Sequence, residues 1–214
     1  MLIRKHYSSL LLILGLLVPV AGIAIQPDQV RQHIEDLSRP DVIVSFTDFK
    51  ICFQYGCKQI QNVSLSREDW DSLIARWDSN NIDAASERIL IAEYIAQLEL
   101  IIGRITNTRF DVGGSFSRYF TLQEIKSEQM DCIDESANTL TYLRILEGQH
   151  KLKWHSIEGL ISRGGLLAGY PHTAVLIKDK KSGENFVVDS WFYDNGRPPV
   201  ILAKKRWKLG WSPE

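Results

Sequence analysis

Residues 170–192 read YPHTAVLIKDKKSGENFVVDSWF, two apolar, β-branched runs on either side of a polar stretch that contains Ser182-Gly183. Runs of this kind, bounded by turn residues, signal strand, turn and strand. The spacing predicts strands over 170–178 and 185–192. Folding the pair about Ser182 sets Ala174 opposite Asp189 and His172 opposite Trp191. In that register His172 and Asp189 are diagonal neighbours on one face, roughly 7–8 Å apart at the backbone and within side-chain reach. A slip of one residue would send them to opposite faces.

Upstream of this hairpin the periodicity is helical. Ile133, Ala137, Leu140, Leu143 and Arg144 return at intervals of three and four until Gly148, so a helix is expected to start at Cys132 or just before it. In Ala84–Ile105, residues Ile91, Ile95, Leu98, Ile102 and Ile105 form the stripe of a core-facing helix. A polar helix is expected near Pro27–Leu37, and Ser66 precedes Arg67-Glu68-Asp69-Trp70 as an N-cap for a helix to about Trp77. The β-rich segment DFKICFQYGCKQIQNVSLS, residues 48–66, predicts a further hairpin about Gln54-Tyr55-Gly56, and Leu152–Ile157 is a strand candidate. Thr106–Gln129 is polar and loop-like; its Gly113-Gly114-Ser115 is expected to be a turn or a cleft edge, since it lacks the lysine of a phosphate loop. The expected fold is α+β, helices packed on an antiparallel sheet. A helical and hairpin part at 25–128 and a catalytic core at 129–214 form one compact unit.

With 44% apolar and 24% charged residues the chain has the composition of a globular protein able to bury a core. Its 25 Lys and Arg against 26 Asp and Glu leave no basic excess, which argues against a nucleic-acid partner. Arg4-Lys5 and the 16 apolar-rich residues Leu10–Ile25 have the layout of a secretory signal, short of the roughly 20 residues a spanning helix needs. Gly22-Ile23-Ala24 places cleavage after Ala24, so residues 1–24 are expected to be a signal peptide and the protein secreted or periplasmic. The alternative is an N-terminal anchor left uncleaved, which is also the one route to membrane contact.

Export favours disulfides. Cys52 and Cys57, on the two arms of the first hairpin, are expected to be bridged, the alternative being two buried thiols on opposite strand faces. Cys132 is then left over, as an intermolecular link, an inert buried thiol or a nucleophile. Nucleophilic catalysis needs a thiol, a base and a group that orients the base, and Cys132, His172 and Asp189 supply all three. A helix start would favour the thiolate and offer N–H groups to an oxyanion, whereas Asp131, Asp134 and Glu135 oppose ionisation. Gln129 is a candidate oxyanion donor, and Trp191 and His155 are candidates to line the cleft. Cys132, His172 and a carboxylate could ligate zinc, but no short-spaced ligand pair accompanies them, so neither metal nor cofactor is expected.

Asp131-Cys132-Ile133-Asp134 opening a helix, His172 on a strand and Val187-Val188-Asp189-Ser190-Trp191 on the next resemble the catalytic core of bacterial transglutaminase-like cysteine proteases, over about residues 129–211. The order Cys, His, Asp matches that superfamily, and the helix-then-sheet framework is shared more distantly with papain-like enzymes. The resemblance implies Cys132 as nucleophile, His172 as base and Asp189 as orienting acid, acting on a protein or peptide substrate, the cell envelope being one source. Met130 and Ile133 stand where that family's periplasmic members have a glycine and a second acid of a calcium site. The expected function is an exported thiol enzyme, a cysteine peptidase, amidase or acyl transferase that cleaves or transfers amide bonds through a thioester. The alternative is a non-catalytic cell-envelope binding module on the same scaffold.

Overall fold

The computed structural model describes residues 27–78, 82–115, 129–164 and 171–213. The expected leader, its cleavage point and residues 116–128 of the polar stretch lie outside them. The chain is mixed α+β, with helices and antiparallel sheets. Helix α1 (Pro27–Ser38) leads to a hairpin of β1 (Phe49–Phe53) and β2 (Gln59–Val63), in which Phe49 faces Val63 and Phe53 faces Gln59. Helix α2 (Arg67–Ile74) starts at Ser66, whose hydroxyl accepts from the Asp69 N–H, and runs into a 3-10 turn at Ala75–Asp78. Then come α3 (Ala84–Thr106) and α4 (Cys132–Gly148). The main sheet has the order β3 (His155–Arg163), β4 (His172–Asp179), β5 (Asn185–Asp189) and β6 (Val200–Ala203), all antiparallel, and α5 (Lys204–Lys208) closes the chain.

The position of α4 organises everything else. It touches α1, α3, β1, β3, β4 and β5, and it is buried from Asp134 to Leu146 without an exposed face. A helix covered on all sides lies at the centre of a fold, not on its surface. Leu140, Leu143, Ile145 and Leu146 share one apolar cluster with Phe49 and Ile51 of the hairpin, Ile91, Ile95 and Leu98 of α3, and Val175, Ile177 and Val188 of the sheet. The parts before and after residue 129 therefore share a core. Among the described residues no helix is long and apolar enough to cross a membrane.

The β4–β5 hairpin has the expected register: Val175 faces Val188 and Lys178 faces Asn185. Three expectations are corrected. The strand read at 152–157 lies at His155–Arg163, because it is carried past Gly159, whose φ of 99° lets the backbone absorb a register shift against β4. Strand β5 stops at Asp189, three residues early, where Ser190 turns the chain and Trp191–Phe192 leave the ladder. The C-terminal Val200–Lys208, which lies outside every expected element, supplies an edge strand and a short helix whose Trp207 is fully buried.

The β1–β2 connection is unusual. Gln54, Tyr55, Gly56 and Cys57 all have left-handed φ values of 68°, 60°, 72° and 55°. Cys52 and Cys57 lie at disulfide distance with Cα atoms 4.6 Å apart, inside the range a bridge requires.

Candidate functional site

Helix α4 begins with a reciprocal cap. Asp131 Oδ1 accepts from the Ile133 and Asp134 N–H groups, while Asp134 Oδ2 accepts from the Asp131 N–H. The same two acids hold the hairpin turn, since the Gly56 N–H donates to Asp131 Oδ1 and the Cys57 N–H to Asp134 Oδ1. One turn on, Asn138 brackets Cys52, accepting from its N–H at 2.7 Å and donating to its carbonyl at 2.8 Å. The acids flanking Cys132 thus serve as acceptors for backbone donors. The cap has a chemical consequence: the Ile133 and Asp134 N–H groups are occupied, so the expected pool of free donors at the helix start shrinks toward the Cys132 N–H itself.

Cys132 is unpaired, 7% exposed, and its thiol is pushed up to about 11. Burial is the largest cause; the Thr173 N–H beside the sulfur works in the other direction, and the charges of Asp131 and Asp189 add to the rise. The thiol is therefore protonated near neutral pH. Thr173 follows His172 in the chain, so the sulfur sits at the peptide link of that histidine.

His172 Nε2 and Asp189 Oδ2 are 2.7 Å apart, and both residues are buried. This is the diagonal pair that the hairpin register requires. The same carboxylate oxygen accepts a second hydrogen bond, 2.7 Å long, from the Trp207 indole N–H. Trp191 packs on the imidazole with ring centroids 4.6 Å apart, Phe192 at 5.4 Å and Trp207 at 5.6 Å. An ionised Asp189 accepts only, so His172 carries its proton on Nε2. Nδ1 is then a buried lone pair without a partner among the described residues. Trp191 is itself tied down, donating from Nε1 to the Ser115 carbonyl while its own carbonyl accepts from the Gly114 N–H. The Gly113-Gly114 turn thereby buttresses the histidine.

Two candidate residues belong elsewhere. Gln129 clamps the 110–115 loop: its Oε1 accepts from the Val112 N–H and the Ser115 hydroxyl, and its Nε2 donates to the Phe110 carbonyl. Its oxygen and one of its N–H groups are thus committed to that loop. His155 pairs with Asp179 at the end of the sheet remote from His172, which pairs with Arg163. Its ring lies between Glu87 Oε1 at 3.0 Å and the Arg88 guanidinium at 3.1 Å, and Glu87 also takes the N–H groups of Lys153, Trp154 and His155. His155 fastens β3 to α3 and does not line the site.

Sequence reasoning also missed the carboxyl cluster behind Cys132. Glu99 is pushed up to about 8, Asp111 to about 7, and Glu135 and Asp134 well above the carboxylate range, in each case mainly by burial. Asp111 and Glu135 hydrogen-bond to each other, Asp111 also accepts from the Met130 N–H, and Glu99 Oε2 accepts from the Gly196 N–H. Asp111 of the 108–115 loop and Glu135 of α4 thus share a proton, and Glu99 of α3 stands close enough to be raised by Asp111 and to raise Glu135. Among the described residues no group of three or more His, Cys, Asp or Glu is arranged to hold a metal ion. A surface cavity of about 500 Å³, lined in part by His33, Asp36, Lys50 and Asn62, lies between α1 and the hairpin, and none of its described lining residues is a cysteine, serine or threonine. No protein-family model, no curated protein and no solved structure matches the chain.

Proposed function

We propose that the chain is an exported thiol enzyme that cleaves or transfers amide bonds through a thioester, using Cys132, His172 and Asp189 on a transglutaminase-like core. The observation that carries this reading is the buried Nδ1 of His172, without a partner among the described residues, whose other nitrogen is held by Asp189, next to the peptide link that contacts the Cys132 sulfur. Such a lone pair costs free energy unless a proton donor meets it. In the reaction the sulfur attacks the substrate carbonyl carbon as Nδ1 takes the thiol proton. The Cys132 N–H is the main-chain donor for the oxyanion. The imidazolium, stabilised by Asp189, then gives its proton to the departing amine, and water or a second amine attacks the thioester and restores the thiol. Because the resting thiol is protonated, His172 acts as a general base during attack, not as the standing partner of a thiolate.

The Cys52–Cys57 pair is compatible with the oxidising compartment that export implies. The burial of Cys132 favours a second reading, a non-catalytic cell-envelope binding module on this scaffold. p-Nitrophenyl acetate separates the two. The enzyme reading expects a burst of one equivalent of nitrophenol with the acetyl group found on Cys132, lost in Cys132→Ala and strongly slowed in His172→Ala. Absence of acylation in the folded protein would leave the binding module.

A further inference from the structure

On β3, Arg163 stands directly across from His172 on β4. Facing residues of an antiparallel pair project to the same side with Cβ atoms roughly 5 Å apart, so the long Arg163 side chain passes over the histidine and its aromatic surround. Its guanidinium lies 4.6 Å from the centroid of Trp207 and 5.7 Å from that of Phe192, both of which also contact His172. One hydrogen bond, to the Trp207 carbonyl, fixes it. Among the described residues no carboxylate pairs with it, and Asp189 acts on it only at longer range. A guanidinium has five N–H donors in a planar fork suited to a carboxylate, and here most of them are unused.

The surroundings reinforce this imbalance. Four of the five residues of α5 are Lys or Arg, none of them in an ion pair among the described residues, and Arg206 and Lys208 lie over Trp211 and Trp207. A chain with a net charge of −1 thus concentrates uncompensated positive charge on the side of the molecule that carries His172. A half-buried cation without a counter-charge is costly to keep, and stacking on aromatic rings offsets only part of that cost.

We propose that Arg163 binds a carboxylate of the substrate, so that the enzyme acts on acidic peptides carrying an Asp or Glu side chain or a free terminal carboxylate close to the scissile amide. This rests on the thiol-enzyme reading, because only that reading puts a reacting carbonyl beside His172. Arg163 would be a specificity-determining residue: a carboxylate lying across its fork makes two parallel charged hydrogen bonds that an amide cannot reproduce.

The test uses paired thiol reagents on the whole protein: iodoacetate against iodoacetamide, and maleimidohexanoate against its N-methylamide. The rate ratio of anionic to neutral reagent is compared with that of free cysteine, which divides out changes in thiol reactivity. For at least one pair the wild-type ratio should exceed the free-thiol ratio by roughly tenfold, as one good charged hydrogen bond implies. It should fall to the free-thiol value in Arg163→Gln and lie between the two in Arg163→Lys, which keeps the charge without the fork. A wild-type ratio equal to that of free cysteine for both pairs, or a raised ratio that Arg163→Gln leaves unchanged, overturns the assignment and leaves the catalytic reading standing. Should Arg163→Gln fail to fold, an unchanged ratio in Arg163→Lys overturns it equally. A Cys132 inert to all four reagents overturns the thiol-enzyme reading and this inference with it.

Discussion

Asp189→Asn tests the site most directly, and the Trp207 hydrogen bond sets its expected magnitude. From the hairpin alone, an amide at position 189 would be expected to rotate and reverse the histidine tautomer, which costs a triad about 10⁴ in rate. The structure opposes that rotation. The Trp207 N–H can only donate, and it points at the same carboxylate oxygen as His172 Nε2. The amide oxygen must stay in that place, the amide nitrogen takes the position of Oδ1, which has no partner among the described residues, and the tautomer is kept. What is lost is charge: the imidazolium that forms during attack exchanges a charge-assisted hydrogen bond for a neutral one. A bond to a charged group contributes about 1–2 kcal/mol more than a neutral one, so the loss is roughly 5- to 30-fold in rate. The assay is iodoacetamide alkylation of Cys132 as a function of pH in wild type, Asp189→Asn, Trp207→Phe and the double variant. The double variant frees the amide to turn and should fall well below Asp189→Asn alone. Asp189→Asn indistinguishable from wild type would remove Asp189 from the mechanism. A loss near 10⁴ in the single variant, with no further loss in the double, would show that Trp207 does not hold the carboxylate.

Three other perturbations have defined outcomes. Glu99 and Asp111 titrate at about 8 and about 7 when folded, above their ordinary 4.5 and 3.8, so the folded state binds the extra protons. Their contribution to stability is complete below about pH 4 and is lost as pH rises through 7 to 8, so urea unfolding should show a less stable protein at about pH 9 than at about pH 5. Glu99→Gln should flatten that dependence and gain on the order of 2 kcal/mol at the alkaline end; an unchanged slope would contradict the proton-sharing cluster. Reducing Cys52–Cys57 should cost about 2 kcal/mol in urea unfolding, the loop-closure value for so short a ring; a bridge worth nothing would mean that the turn is held by Asp131, Asp134 and Asn138 alone. In Gly113→Ala the new Cβ would lie 2.5 Å from the Tyr193 carbonyl carbon and 2.6 Å from the Phe192 oxygen, both main chain. The displaced 191–193 segment should lower stability by about 1–3 kcal/mol and slow Cys132 acylation; a variant as stable and reactive as wild type would refute the buttress.

The parts of the fold that local pattern determines were legible in the sequence. Alternating apolar residues and a Ser-Gly turn fix the β4–β5 register, and with it the His172–Asp189 pair. The start of α4 is legible because Asp131 and Asp134 are capping residues at capping positions. What stayed hidden depends on partners far along the chain. His155 has no local sign that its partner is Glu87, 68 residues earlier, and Gln129 gives none that it clamps a loop 14 to 19 residues before it. Trp207 was concealed by its neighbours: four cations around one indole have the composition of a solvated helix, and only the short Val200–Ala203 run before it signals that the segment docks. Asp134 and Glu135 look from the sequence like charge crowding Cys132, but nothing local shows that Glu135 is buried with Glu99 and Asp111, where burial favours the protonated form.

The left-handed turn at Gln54–Cys57 bears on the order of events during oxidative folding. Each non-glycine residue held in that conformation costs about 1–2 kcal/mol, so a free 52–57 segment does not populate it. The turn takes shape only when Asp131, Asp134 and Asn138 are in place to receive it. An unfolded chain with three thiols has three ways to pair them, two of which consume Cys132. Docking α4 before oxidation resolves that competition, because the step that brings Cys52 to Cys57 also buries Cys132 against Thr173. An oxidant that reached the chain ahead of this docking would trap Cys132 in a mispaired bridge. The yield of correctly bridged protein should therefore be decided by the relative rates of helix docking and thiol oxidation.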